Sequence, residues 1–193
     1  NCNFTKSTGD YTTAVEIRSA DPTFTGCTFI DNPGGGMWNF NSSSTITNCT
    51  FMNNTSPDFM GGALINVAGA SMMVDGCTFS NNSSTWGGGA IHNQNGGSLV
   101  VMNSTFSNNR TDKRGGGLEN YYSASATVIN CTFTDNSADI GGGIYSDETS
   151  TLLIETSVLC GNQGGQILGS FTASVDNCAL NLCSDPGADG APG

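Results

Sequence analysis

The feature that most restricts this chain is an internal repeat. Asn1-Cys2-Asn3-Phe4, Gly26-Cys27-Thr28-Phe29, Asn48-Cys49-Thr50-Phe51, Gly76-Cys77-Thr78-Phe79, Asn103-Ser104-Thr105-Phe106 and Asn130-Cys131-Thr132-Phe133 are copies of one motif. Their phenylalanines, at 4, 29, 51, 79, 106 and 133, are separated by 25, 22, 28, 27 and 27 positions. Ser157-Val158-Leu159 and Cys178-Ala179-Leu180 are two worn copies. A fixed period of this size means stacked structural units, each unable to bury its apolar face alone.

Each copy continues in one way. A polar pair follows the Phe: Asp31-Asn32, Asn53-Asn54, Asn81-Asn82, Asn108-Asn109, Asp135-Asn136. Glycines and then apolar residues come next, as in Gly87-Gly88-Gly89-Ala90-Ile91 and Gly141-Gly142-Gly143-Ile144-Tyr145. A third short apolar run, such as Leu99-Val100-Val101, leads into the next Cys. Three short strands per unit, separated by turns, describe one coil of a parallel β-helix. The expected fold is therefore all-β: a right-handed single-stranded parallel β-helix of about seven coils. Helix is excluded, because glycine triplets and β-branched residues leave no long window of 3.6-residue periodicity. Expected boundaries are repeats over 1–159, a Cys-containing capping coil over 160–184, and a linker or tail over 185–193.

Alternation assigns the faces. With the Phe column inward, the Cys or Ser two positions earlier is inward and the intervening Thr is outward. Ile46, Val74, Val101, Val128 and Ile154 point inward from the third strand. The Cys column reads as buried thiols in a narrow core, and the Asn column as side chains stacked to satisfy turn backbone.

The alternation of GG[AG][ILM] with FxxN resembles the polymorphic outer-membrane protein repeat of autotransporter passengers and other large surface proteins. That resemblance implies an exported, cell-surface, often adhesive protein. No stretch approaches the roughly 18 apolar residues of a membrane span, so the chain is expected not to span the membrane.

The formal charge of −11, from 16 acidic and 5 basic residues, excludes a nucleic-acid partner, which requires a basic stripe. It also suits a secreted protein. The chain opens inside a repeat, so stacking on more of the same chain or on other subunits is expected, with surface glycans as a further partner. Cys160, Cys178 and Cys183 surround the last coil, and Cys160 with Cys183 is the expected staple. Asn3, Asn41, Asn48, Asn103, Asn109 and Asn130 head Asn-x-Ser/Thr sequons and are glycosylation candidates in a eukaryotic source.

No catalytic constellation stands out, and no metal or cofactor is expected. A β-helix lyase needs clustered carboxylates with an Arg or Lys base, and a hydrolase needs converging carboxylates. Three of the five basic residues crowd one turn, Arg110-Thr111-Asp112-Lys113-Arg114, read as an exposed loop with its own charge balance. Asp135, Asp139, Asp147 and Glu148 are the nearest to an acidic cluster. His92, the only histidine, reads as structural. The clearest contact face is outward Thr28, Thr50, Thr78, Thr105 and Thr132, with Ser80, Ser107 and Thr134 beside them. The leading expectation is an extracellular structural or adhesive scaffold, in a filament or surface array. Carbohydrate binding or processing, and ice binding through the Thr face, are the alternatives.

Overall fold

A computed structural model describes residues 1–7, 13–169 and 172–180. Every strand pairing in it is parallel, and among the described residues there is no helix. The chain winds through three long sheets. The phenylalanine sheet contains Asn3–Thr5, Thr28–Ile30, Thr50–Met52, Thr78–Ser80, Thr105–Ser107, Thr132–Thr134, Val158–Cys160 and Ala179–Leu180. The asparagine sheet contains Val15–Arg18, Met37–Phe40, Leu64–Val67, Ile91–Gln94, Leu118–Tyr121, Ile144–Ser146 and Ile167–Leu168. The aliphatic sheet runs from Thr23–Thr25 through Ser43–Thr47, Ser71–Asp75, Ser98–Met102, Ser125–Ile129 and Thr151–Glu155 to Thr172–Asp176.

The chain is thus the expected right-handed parallel β-helix, and the worn copies at 157–159 and 178–180 are real rungs. Strand pairing runs on to Ala179–Leu180, inside the segment expected to be the cap. The tail at 185–193 lies outside the described residues.

One element escaped the three-strand reading. A fourth, small sheet joins Thr55–Ser56, Ser83–Ser84 and Arg110–Thr111, between the Asn corner and the glycines. Two polar residues per coil carry no apolar signal. They align because the second of each pair, Ser56, Ser84 or Thr111, turns inward.

Registry follows from what the interior accepts. Phe4, Phe29, Phe51, Phe79, Phe106 and Phe133 stack face to face with centroids 4.3–5.0 Å apart and planes within 11°. That spacing is close to the distance between adjacent strands, so each ring rests on the next without strain. Cys27, Cys49, Cys77, Ser104 and Cys131 line the adjoining inner corner as expected, and all four of these cysteines are free thiols.

Two asparagine ladders close the corners. Asn32, Asn54, Asn82, Asn109, Asn136 and Asn162 are buried, and each of the first five donates to the next Oδ1 at 2.8–3.0 Å. Their Nδ2 groups also donate to a strand carbonyl, as Asn82 does to Phe51 O at 3.0 Å. The residue before each of the first five takes a left-handed bend, with φ of 54–56° at Asp31, Asn53, Asn81, Asn108 and Asp135, a conformation Asn and Asp tolerate. The second ladder, Asn39, Asn66, Asn93 and Asn120, lies inside the asparagine sheet and ends on Ser146 Oγ.

The glycine triplets serve close approach as well as turning. A Cβ on Gly89 would lie 2.3 Å from Gly116 O, and one on Gly116 would lie 2.4 Å from Gly142 O.

Candidate functional site

On the outside of the asparagine sheet the repeat stops repeating. Parallel register stacks Glu16, Trp38, Ile65, His92, Glu119, Tyr145 and Leu168 in one outward column. Arg18, Phe40 and Val67 form a second column, continued by Gln94 and Tyr121. The inward neighbours keep an apolar-x-Asn pattern from Met37-x-Asn39 to Leu118-x-Asn120, so the sheet holds its geometry whatever its outer side chains are.

Loops from the glycine corner overhang this face. Phe59 and Met60 join Trp38, Phe40, Ile65, Val67, His92 and Gln94 around a cavity of about 240 Å³. The Trp38 ring meets Phe40 edge-on at 6.4 Å and Phe59 at a tilt at 6.5 Å. The Arg18 guanidinium, itself paired with Glu16, lies 5.3 Å from the Trp38 ring and 5.0 Å from the Phe40 ring, within cation–π range. Trp38 Nε1 is enclosed and has no hydrogen-bond acceptor.

Beside the cavity lies a buried charge cluster. His92 Nδ1 is 2.7 Å from Glu119 Oε2, His92 Nε2 is 2.8 Å from Gln94 Oε1, and Arg114 Nε donates to Glu119 Oε1 at 3.0 Å. His92 and Glu119 are each 1% exposed. Arg114 packs its guanidinium over Tyr121 and Tyr145, 4.4 and 5.2 Å from their ring centres. Burial acts to lower its pKa, but the facing Glu119 and the two tyrosines outweigh that and raise it. Gly87 seals the cluster: a Cβ there would lie 1.9 Å from Glu119 Oε2.

His92 is held from both ring nitrogens within this cluster, and Arg114 departs from the expected loop. Arg110 and Asp112 balance each other on the surface at 3.4 Å, while Arg114 turns onto Glu119. Sequence reasoning missed Glu119 and the whole outward column. The available signal was the residue before each inward Asn or Ser, namely Trp38, Ile65, His92, Glu119 and Tyr145.

The expected Thr face is present as a register. Thr28, Thr50, Thr78, Thr105 and Thr132 align, with Ile30, Met52, Ser80, Ser107 and Thr134 beside them. Val158 continues the first column. Asn3, Asn41, Asn48, Asn103 and Asn130 are exposed. Asn109 is a correction to the sequon set: it is enclosed as a ladder member, its Nδ2 committed to Phe79 O and Asn136 Oδ1, and offers no nitrogen to a glycan.

Asp147 caps its own loop, accepting from Tyr122 N at 3.0 Å and from Thr149 Oγ1 at 3.1 Å. Slight burial works to raise its pKa, but bonds from Ser150, Tyr122 and Thr149 bring it below the ordinary value. No group of three His, Cys, Asp or Glu side chains suited to a metal occurs among the described residues. Cys2, Cys27, Cys49, Cys77, Cys131 and Cys178 are free. Cys160 is not among them, and its expected partner Cys183 lies outside the described residues.

The family model for a right-handed beta helix region matches residues 1–63 and 58–180. The chain belongs to the right-handed β-helix family. No curated protein and no solved structure matches it. For this family member, then, function has to be argued from the outer face just described.

Proposed function

We propose that this β-helix is an extracellular adhesive scaffold, not a catalyst, and that it holds its partner on the outer face of the asparagine sheet. The observation behind this reading is the cavity of about 240 Å³ walled by Trp38, Phe40, Phe59 and Gln94 on that face. Concave, mostly apolar sites with a few fixed polar groups are the usual form of a binding pocket. Hydrolysis of a glycosidic bond would need two carboxylates flanking it. Glu119 is instead spent on His92 and Arg114, and the nearest carboxylate in its column, Glu16, stands four rungs away against Arg18.

The repeat is read as the polymorphic outer-membrane type, which suits a surface protein. Asn3–Thr5, Val15–Arg18 and Thr23–Thr25 each pair on one side only, and such open edges accept further strands. Stacked coils or subunits are the proposed occupants there, and a Cys160–Cys183 disulfide is the proposed staple at the other end.

The test is adhesion of the purified chain to a panel of immobilised polysaccharides and glycoproteins. Phe59→Ala combined with Trp38→Ala should abolish retention, whereas Thr78→Val with Thr105→Val should leave it intact. The reverse pattern would transfer the function to the Thr face and refute this reading.

A further inference from the structure

We infer that the glycine corner carries a second contact surface, through which two copies of this chain pair antiparallel about a two-fold axis at Trp86. This surface is separate from the adhesive reading and does not depend on what the cavity holds. Ser56, Ser84 and Thr111 lie in register in the fourth sheet. Two residues beyond them stand Asp58, Trp86 and Lys113, on three successive rungs. Backbone bonds keep the loops in that order: Trp86 N donates to Phe59 O at 3.3 Å, Gly88 N to Arg114 O at 2.9 Å and Ile140 N to Lys113 O at 3.1 Å. Three large apolar side chains crowd this corner in the open, Phe59 at 53%, Trp86 at 52% and Ile140 at 45% exposed. Neighbouring exposed groups of this size mark contact sites.

Charge then selects the occupant. Arg110 is answered by Asp112 and Arg114 by Glu119, which leaves Lys113 the spare cation of its turn. Asp58 and Lys113 are both exposed, and neither enters an ion pair among the described residues. They stand two rungs apart, about 9–10 Å, too far to pair with each other across Trp86. The column therefore reads acid, aromatic, base, which is its own complement when inverted. A two-fold axis at Trp86 lays two indoles together and sets Asp58 of each copy against Lys113 of the other. A partner must offer the inverted column at a rung spacing of about 4.8 Å, and a second copy does so by symmetry. A net charge of −11 opposes self-contact over the chain as a whole, whereas this column carries one charge of each sign. The contact covers a single corner, so it belongs to the small, transient class, with Kd between about 1 μM and 1 mM.

The experiment is sedimentation velocity of the intact chain from about 1 μM to 1 mM. A reversible monomer–dimer equilibrium is expected. Trp86→Ser should raise Kd at least about tenfold, because one substitution removes both indoles of the contact. Asp58→Lys and Lys113→Glu each set two like-charge contacts across the axis and should each raise Kd about 3- to 30-fold. Mixing these two single variants brings opposite charges together again at both positions, so the mixture should form heterodimers at least as tight as the wild-type pair. The charge reversals keep the test decisive if Trp86→Ser proves unfolded by circular dichroism. A monomer at every concentration overturns the inference, as do single variants that mixing does not rescue. Dimers indifferent to Trp86→Ser and to both charge reversals, the behaviour of end-to-end stacking, overturn it as well. Retention on the polysaccharide and glycoprotein panel, read with Trp38→Ala and Phe59→Ala, stands or falls separately.

Discussion

Replacing Asn82 by alanine tests whether the buried ladder holds the coils in register. Asn82 makes four bonds: Nδ2 donates to Phe51 O and Asn109 Oδ1, and Oδ1 accepts from Asn54 N and Asn54 Nδ2. After truncation Asn54 Nδ2 keeps Phe29 O, and Asn109 Oδ1 keeps the Asn82 backbone N–H. Phe51 O keeps its strand-ladder partner across the Thr50–Met52 and Thr78–Ser80 pair, whereas Asn54 N loses the acceptor that Asn82 gave it. That open donor costs about 1–3 kcal/mol and the two bonds donated by Asn82 Nδ2 are worth about 0.5–1.5 kcal/mol each, so Asn82→Ala should destabilise by about 2–6 kcal/mol. The control is its exposed neighbour, Asn81→Ala, which meets the left-handed strain of φ 54° and should cost about 1–2 kcal/mol. Urea unfolding followed by circular dichroism gives the midpoints. Amide exchange of Asn54 locates the damage and should accelerate selectively. Asn82→Asp adds a signed test. A carboxylate facing Phe51 O and Asn109 Oδ1 is disfavoured, so its folded pKa lies above the unfolded value of about 3.9. The penalty is therefore absent below that value and grows as pH rises through the folded pKa. An Asn82→Ala cost no larger than that of Asn81→Ala, with Asn54 exchange unchanged, would refute the ladder argument.

Four further outcomes follow from the described geometry. Glu119→Gln leaves Arg114 without its buried counter-charge and should cost about 3–5 kcal/mol in the same unfolding assay; a change under about 1 kcal/mol would show the cluster to be dispensable. Gly87→Ala drives a methyl into the Glu119 carboxylate and should lower the melting temperature, while Gly69→Ala, where a Cβ meets nothing within 4 Å, tests the left-handed backbone strain alone; equal losses would sink the contact argument. Native alkylation at pH 8 should label Cys2 and Cys178 and spare Cys27, Cys49, Cys77 and Cys131, since these four are enclosed in the core even though the bond from Cys77 brings Cys49 down to about 6; after denaturation without reductant, Cys160 and Cys183 should stay unlabelled, and their labelling would dispose of the proposed staple. The Asp147 carboxyl has a depressed folded pKa, so its bonds to the loop persist above about 3.9 and are lost only as pH falls through the lower folded value; a Tyr122 amide shift titrating at or above 4 by NMR would contradict this.

The inside of this protein was legible because the lattice of stacked coils repeats its demands. The rungs from Phe29 to Phe133 place a flat ring where Phe79 sits, a small side chain where Cys77 sits and a backbone-satisfying amide where Asn82 sits, so the same letters recur at one period. The fourth sheet was not legible: Ser83-Ser84 and Arg110-Thr111 are ordered by what surrounds them, with no apolar periodicity of their own. The second ladder was hidden differently. Asn39, Asn66, Asn93 and Asn120 look like ordinary polar alternation in a strand unless the sheet is known to bury them on its inner side.

The outer face was the hardest to read, and the reason bears on function. On the phenylalanine sheet the outward column remains Thr from Thr28 to Thr132, the residue an exposed strand favours on its own account. On the asparagine sheet the equivalent outward column changes at every rung, through Trp38, Ile65, His92, Glu119 and Tyr145, although the inward Asn beside it is constant from Asn39 to Asn120. Parallel strands in the same rung-to-rung stacking underlie both faces, each with an asparagine ladder of its own, so the difference does not come from folding. A uniform column costs the scaffold nothing and is what its repeats produce by default. A varied one must be built rung by rung, and two of its members, His92 and Glu119, carry the desolvation cost of buried polar groups that an apolar pair would avoid. Variation and cost fall on one sheet, beside the cavity lined by Trp38 and Phe59. That coincidence is the strongest physical argument that this face, and not the more regular Thr array, is where the solenoid meets its ligand.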